Sequence, residues 1–301
     1  MDEELSLSGI LDANELVLAD SCVFTNSFNY PRYFMGVLEY SNLNEGILDK
    51  FLFDYSQAID IFSYPNIKTI PEVSAEIKRP IKSLTKMARR IKLKGKISDS
   101  QRRLDDKLKL VENIIATTCD YVHESELCLL DPRYETLVNI LKTTNFAFGF
   151  KKDTEKWREG VSMKKRNRAY HGPRVSKDTD ERLVAAMLYA FMCSDTTPVL
   201  VSRDYGFINL LKEGIGVIGS RCFSPYNSDF HELLELRGFK FYFGFGDKWS
   251  LRVDNKKINW WSGHKIESNL GENANQYFSE IKSSWNRFKS FPVLESAYLT
   301  K

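Results

Sequence analysis

The sequence predicts an α/β fold with right-handed crossovers, on three observations. Short continuous apolar runs stop at acidic or proline residues, stretches of helical period separate those runs, and the composition is that of an ordinary folded chain. Such runs suit strands buried on both faces of a parallel sheet. Of 301 residues, 43% are hydrophobic, 28% charged and 13% aromatic, which is enough to bury a substantial core. Sixteen Gly and nine Pro exclude a collagenous or low-complexity chain.

Leu16-Val17-Leu18-Ala19 is the first candidate strand and ends at Asp20. Ile67 to Ile70 is the second. It meets Pro71, and because proline suits the first position of a helix, residues 71–77 read as strand passing directly into helix. Ser98 and Gln101 have capping-box spacing, and Leu104, Leu108, Val111, Ile115 and Thr118 form a stripe, predicting a helix from Ser98 to Cys119. A shorter helix covers 134–145. Asp178 and Glu181 resemble a capping pair ahead of Leu183, Val184, Met187, Leu188 and Phe191, a further helix. Pro198 to Ser202 is the third strand and Gly216 to Gly219 the fourth.

The tail reads differently. Phe239, Phe241, Phe243 and Phe245 alternate with Lys240, Tyr242 and Gly244, and Trp249 to Val253 follows Gly246-Asp247, a hairpin signal. Alternating aromatics suit one buried face of a strand, with a platform for nucleic-acid bases as the alternative. A run at 258–261 and a helix at about 273–288 complete a small α+β appendage (220–301), expected to pack on the main body.

The five cysteines (22, 119, 128, 193 and 222) are scattered, with no C-x-x-C pair, which argues against a disulfide framework and a thiolate zinc site. The acidic start carries no apolar leader segment and no apolar run approaches the ~20 residues of a bilayer span, so a cytoplasmic setting without membrane partner is expected. Phosphate-loop, dinucleotide and serine-hydrolase motifs are absent. The four histidines show no metal-ligand spacing.

Four carboxylates carry the chemistry. Asp20 closes the first strand and Asp204 lies two residues past Ser202, the end of the third, and open α/β sheets bind ligands beyond the carboxyl ends of their strands. Asp180 and Glu76 fall on the apolar stripes of their helices, where a carboxylate is costly without compensation. Each alone suits a cap or an ion pair. Together in one pocket they would repel one another, and a divalent cation removes that problem; oxygen-only ligation favours Mg²⁺ or Mn²⁺.

Residues 16–26 (Leu-Val-Leu-Ala-Asp20-Ser21-Cys-Val-Phe-Thr-Asn) resemble the opening strand-Asp-Ser/Thr motif of PIN-domain nucleases. Ile70-Pro-Glu-Val-Ser-Ala-Glu76-Ile77 is similar to their second motif, Asp180-Glu-Arg-Leu-Val-Ala-Ala186 to the third, and Val199-Leu-Val-Ser202-Arg203-Asp204-Tyr-Gly-Phe207 to the fourth. The motifs keep the family's order over about residues 14–219. The sequence departs from the pattern at Gly206, where many members carry another acid, and in the longer stretch between Glu76 and Asp180.

The resemblance implies a three-layer α/β/α sandwich around a central parallel sheet over 12–219, with a basic helical insertion at about 78–175. It implies metal-dependent phosphodiester hydrolysis, most often of RNA. Asp20, Glu76, Asp180 and Asp204 would hold one or two Mg²⁺ or Mn²⁺ ions, which lower the pKa of a water and orient it for in-line attack. Ser21 and Ser202 would steady the carboxylates.

Charge is segregated along the chain. Residues 78–109 hold 13 Lys+Arg against three acids, and residues 151–174 hold nine against three, in a chain whose net charge is only +3. That offers an electropositive surface to a polyanion, although lysine-rich helices also serve as solvated faces. Lys164, Lys165, Arg166 and Arg168, with Arg203, would meet phosphates, while Tyr170 and His171 would stack on a base. Basic residues meet RNA or DNA alike, so an endoribonuclease, a structure-specific DNA nuclease and a non-catalytic RNA-binding or assembly module stay open. A homo-oligomer and a protein inhibitor or antitoxin are compatible with the chain, but nothing in it indicates either.

Overall fold

The computed structural model describes residues 4–23, 45–77, 99–147, 178–204, 206–208, 210–211, 236, 238–245 and 247–254, with 279, 283, 286 and 287. They form β1 (Glu4–Leu5), α1 (Leu7–Asp12), β2 (Leu16–Ala19), α2 (Glu45–Phe62), β3 (Ile67–Lys68), α3 (Pro71–Ile77), α4 (Asp99–Glu124), α5 (Pro132–Ala147), α6 (Thr179–Cys193), β4 (Pro198–Ser202), β5 (Lys240–Phe245) and β6 (Lys248–Asp254). The chain divides into two compact units, with boundaries at Asp20/Ser21 and Glu126/Leu127. The first holds β1, α1, β2, α5, α6 and β4 to β6, and the second holds α2, β3, α3 and α4.

In the first unit the strand order is β1-β6-β5-β4-β2. β2, β4 and β5 run parallel, with Val17 opposite Val199 and Ser202 opposite Phe243; β6 turns back antiparallel to β5, and β1 pairs antiparallel with β6. Every residue of β2 and β4 is buried, which is why these strands read as unbroken apolar runs. Helix α6 packs on β4 and α5 and is buried from Leu183 through Phe191.

The structure corrects the expected appendage. β5 pairs in parallel with β4, so the Phe239–Phe245 run extends the main sheet. Phe239 and Phe241 are fully buried, and the ring of Phe239 meets Phe191 of α6 edge to face, centroids 5.6 Å apart. The hairpin at 246–247 is as expected. Of the tail helix, Ser279, Ser283, Asn286 and Arg287 are described and helical, whereas the strands expected at 216–219 and 258–261 lie outside the described residues.

A buried ionic cluster ties α5 to α6. Asp131 precedes Pro132, the first residue of α5, and its Oδ1 accepts the Arg133 backbone N–H at 2.8 Å, an N-cap. Its Oδ2 accepts Arg133 Nε and the Tyr189 hydroxyl, both at 2.8 Å. Burial pushes the Asp131 carboxyl up, but the Arg133 guanidinium, the Arg133 amide and the Tyr189 hydroxyl together hold it below its ordinary 3.8. Burial and the Asp131 charge both push the Tyr189 phenol up.

In the second unit, α2 packs along α4 and buries Phe51, Tyr55, Ala58 and Phe62 on one side, with Leu108, Val111, Ile115 and Val122 on the other. Helix α4 runs five residues past its expected end, to Glu124. There Thr69, just after β3, bridges to Glu126 through an N–H bond to Ser125 O at 2.9 Å. Tyr55 donates to Ile77 O at 3.0 Å and pins the end of α3. No described helix is long and apolar enough to cross a membrane.

Candidate active site

In the first unit the carboxyl ends of β2 and β4 carry Asp20, Ser202 and Asp204. Asp20 continues the β2–β4 ladder through its N–H to Val201 O, 3.3 Å, and its side chain is buried. Ser202 Oγ donates to Asp20 Oδ2 at 3.0 Å and accepts the Asp204 N–H at 2.9 Å. One fully buried hydroxyl therefore aligns the first acid and the backbone of the second.

Asp204 itself is exposed, and its Oδ1 accepts the Gly206 N–H at 2.7 Å. This is an Asx turn leading into the helical residues 206–208. A Cβ at Gly206 would stand 3.0 Å from that oxygen, so glycine gives the carboxylate its close approach.

Asp180 departs from expectation. It is exposed in the first turn of α6, whereas Glu181 beside it is buried. α6 is covered all round for most of its length, so apolar period could not tell its inner face from its outer one. The expected capping pair is not made either: Asp178 gives α6 no side-chain cap and pairs with Lys142 Nζ at 2.8 Å instead. Buried Glu181 was a candidate acid that sequence reasoning passed over, its position having been read as half of the cap.

In the second unit Glu76 is half-buried on α3, and Ser21, the residue after Asp20 in the chain, donates its Oγ to Glu76 Oε2 at 2.9 Å. Among the described residues, no group of three or more Asp, Glu, His or Cys side chains stands close enough to hold a metal ion. Mg²⁺ is commonly held by one or two carboxylates, with water and substrate phosphate completing the octahedron. Asp20 and Asp204 are hard oxygen donors at adjacent strand ends, a donor set whose chemistry fits an open, water-completed Mg²⁺ or Mn²⁺ site and not a closed protein cage.

The basic residues divide by place. Lys164, Lys165, Arg166, Arg168, Tyr170 and His171 lie outside the described residues. In the described part of the first basic segment, Lys107 pairs with Asp49 and Glu45, and Lys109 with Asp105 and Asp106, so these two charges are answered locally.

Arg203 stands between Ser202 and Asp204, half-buried, with its guanidinium carbon 5.1 Å from the centroid of the Trp249 ring. Trp249 of β6 is opposite Gly244 of β5, and a Cβ on Gly244 would lie 2.8 Å from the indole. The bare strand lets the ring lie across it, an aromatic covering a glycine. A glycine inside an aromatic alternation was the available signal. Gly244→Ala is expected to displace the indole and lower stability by about 1–3 kcal/mol, measured by urea unfolding; an unchanged midpoint would show that the ring moves freely.

The chain matches no protein-family model, no curated protein and no solved structure in comparisons with each.

Proposed function

We propose that this chain is a metal-dependent nuclease with a PIN-like three-layer sandwich, acting as a cytoplasmic endoribonuclease. The observation that carries the reading is the Asp20–Ser202–Asp204 link at the carboxyl ends of two parallel strands, where open α/β sheets place their ligands. Ser202 bonds the Asp20 carboxylate and the backbone N–H of Asp204, so both acids stand at the ends of neighbouring strands. The order of the four sequence motifs adds support.

In this reading Asp20 and Asp204 hold the cation, with Asp180 and Glu76 assigned by the resemblance. When bound, Mg²⁺ or Mn²⁺ supplies Lewis acidity to a water and to the phosphate. Ser202 fixes the rotamer of Asp20 through its donated bond, and its accepted bond sets the backbone from which Asp204 projects. The Gly206 amide holds one Asp204 oxygen and so orients the other. Burial of Asp20 limits its exchange with bulk water.

The test is cleavage of end-labelled RNA and of DNA of the same sequence, in Mn²⁺ and in EDTA. RNA cleavage in Mn²⁺ only, lost in Asp204→Asn, is expected. Cleavage that persists in EDTA would end the proposal, and preference for DNA would move it to the structure-specific nuclease. A second reading, a non-catalytic RNA-binding module, is favoured by glycine at 206, which forgoes the extra acid. Calorimetric titration separates the two: RNA binding without Mn²⁺ binding selects the module.

A further inference from the structure

Helix α4 carries two apolar stripes where the second unit's core uses one. Leu108, Val111, Ile115 and Val122 are fully buried. Leu110, Ile114, Thr117 and Tyr121 keep the spacing of another face, and that face is open to solvent. Leu110 is 56% exposed and Tyr121 37%, with Thr117 exposed and Ile114 half-buried. Phe53 of α2 stands beside them. Thr118 Oγ1 donates to Tyr55 O and Ser125 Oγ to Phe62 O, so α2 and α4 run parallel and Phe53 is level with the 114–117 turn. Lys107 reaches Asp49 on the solvent side of the two helices, and Phe53, one turn after Asp49, is 57% exposed on that side.

The charges on this face are sorted by sign. Exposed Arg102 and Arg103 lie towards its N-terminal end, and exposed Asp120 and Glu124 towards its C-terminal end. Among the described residues no ion pair answers these four, whereas Asp106 and Lys109 between them answer each other at 3.1 Å.

The pattern is complementary to itself. Turned end for end about position 112, Leu110 meets Ile114 of a second copy, Arg103 meets Tyr121, and Arg102 falls between Asp120 and Glu124. All three pairings share that centre, as a two-fold axis requires. From this juxtaposition we infer that the outer face of α4, with Phe53 beside it, is a contact through which two copies of this chain associate, their α4 helices antiparallel. Exposed apolar residues rimmed by polar ones supply the burial. The charges set the direction, because a parallel pair would place Arg102, Arg103, Asp120 and Glu124 each against its own kind. Asp120 and Glu124 also repel a polyanion from one end of the face, so its occupant is protein and not nucleic acid. This contact goes beyond the nuclease reading and does not depend on it.

The experiment measures the mass of the full chain by sedimentation equilibrium over a range of protein and KCl concentrations. Mass is expected to rise with concentration from that of one chain towards that of two, and to fall back as KCl is raised. Leu110→Asp is expected to weaken association about a hundredfold or more, because each dimer then holds two charges at its apolar centre. Arg102→Glu is expected to weaken it about tenfold. Adding Asp120→Lys and Glu124→Lys to Arg102→Glu should restore it, since a symmetric contact carries both sides of the exchange. These positions are exposed, so the thermal midpoint of each variant in dilute solution should stay close to that of wild type.

Wild type that stays at the mass of one chain, mass that grows beyond two copies, or association that survives Leu110→Asp overturns the inference. A triple variant that associates no better than Arg102→Glu overturns it as well. Cleavage of RNA in Mn²⁺ by wild type and Leu110→Asp is read separately, so a failed nuclease reading and a failed contact are told apart.

Discussion

Asp20→Asn is expected to reduce Mn²⁺-dependent RNA cleavage by about a thousandfold, the loss of several kcal/mol of metal-supplied stabilisation at about 1.4 kcal/mol per factor of ten. Asparagine has the same shape and keeps an oxygen to accept the Ser202 hydroxyl, so the β2–β4 edge should survive the change. What disappears is the charge. A buried carboxylate is costly to keep ionised, and a neutral amide at the same place costs less. The thermal midpoint of Asp20→Asn in EDTA should therefore equal or exceed that of wild type, while Mn²⁺ should raise the midpoint of wild type only. Equal cleavage by the two proteins would remove Asp20 from the reaction, and a midpoint that falls sharply in EDTA would recast Asp20 as a structural cap.

The largest effect on stability is expected at Asp131. Its side chain is 1% exposed and that of Arg133 6%, and Asp131→Ala would leave the guanidinium and the Tyr189 hydroxyl buried without their common acceptor. Breaking a buried pair from one side costs about 3–5 kcal/mol. For a chain of this size that lowers the thermal midpoint on the order of 10 °C. Replacing Asp131 and Arg133 together with apolar residues should cost less than Asp131→Ala alone, because no charge is then stranded. A single variant within a few degrees of wild type would show that the cluster does not bear on the α5–α6 packing.

The cluster also predicts a response to acid. The Asp131 carboxyl is held below its unfolded value of 3.8, so the folded state binds fewer protons than the unfolded state in that range. Its contribution is complete above pH 3.8 and is lost as pH falls through the lowered value. The difference in midpoint between wild type and Asp131→Ala should therefore be constant from neutral pH down to about 4 and narrow below it.

Strands and helices with a uniform environment were legible in the sequence. Leu16–Ala19 and Pro198–Ser202 were read to the residue, since both faces are covered and nothing interrupts the apolar run. Pro71 marked the start of α3 because proline tolerates only the first helical turn. α2 was not predicted, although its buried Phe51, Tyr55, Ala58 and Phe62 keep helical spacing. Asp20 and Asp204 were expected beyond the ends of two strands, neighbours if those strands are adjacent, and β2 and β4 are adjacent; Ser202 was placed beside them by the resemblance. The Asp131 cluster had no such signal, for Tyr189 lies 58 residues away and looks like one more apolar position on α6.

The sequence alone determined the α/β class, the parallel strands β2 and β4, the helices α3 to α6 and the acids at the strand ends, because each follows from contacts within a few residues. Tertiary structure alone decided that the aromatic tail joins the main sheet beside β4, that Asp180 is exposed while Glu181 is buried, and that Trp249 crosses Gly244 to reach Arg203. The physical reason is that strand order and side-chain burial are set by what packs from elsewhere in the chain, and local period repeats identically whichever partner arrives.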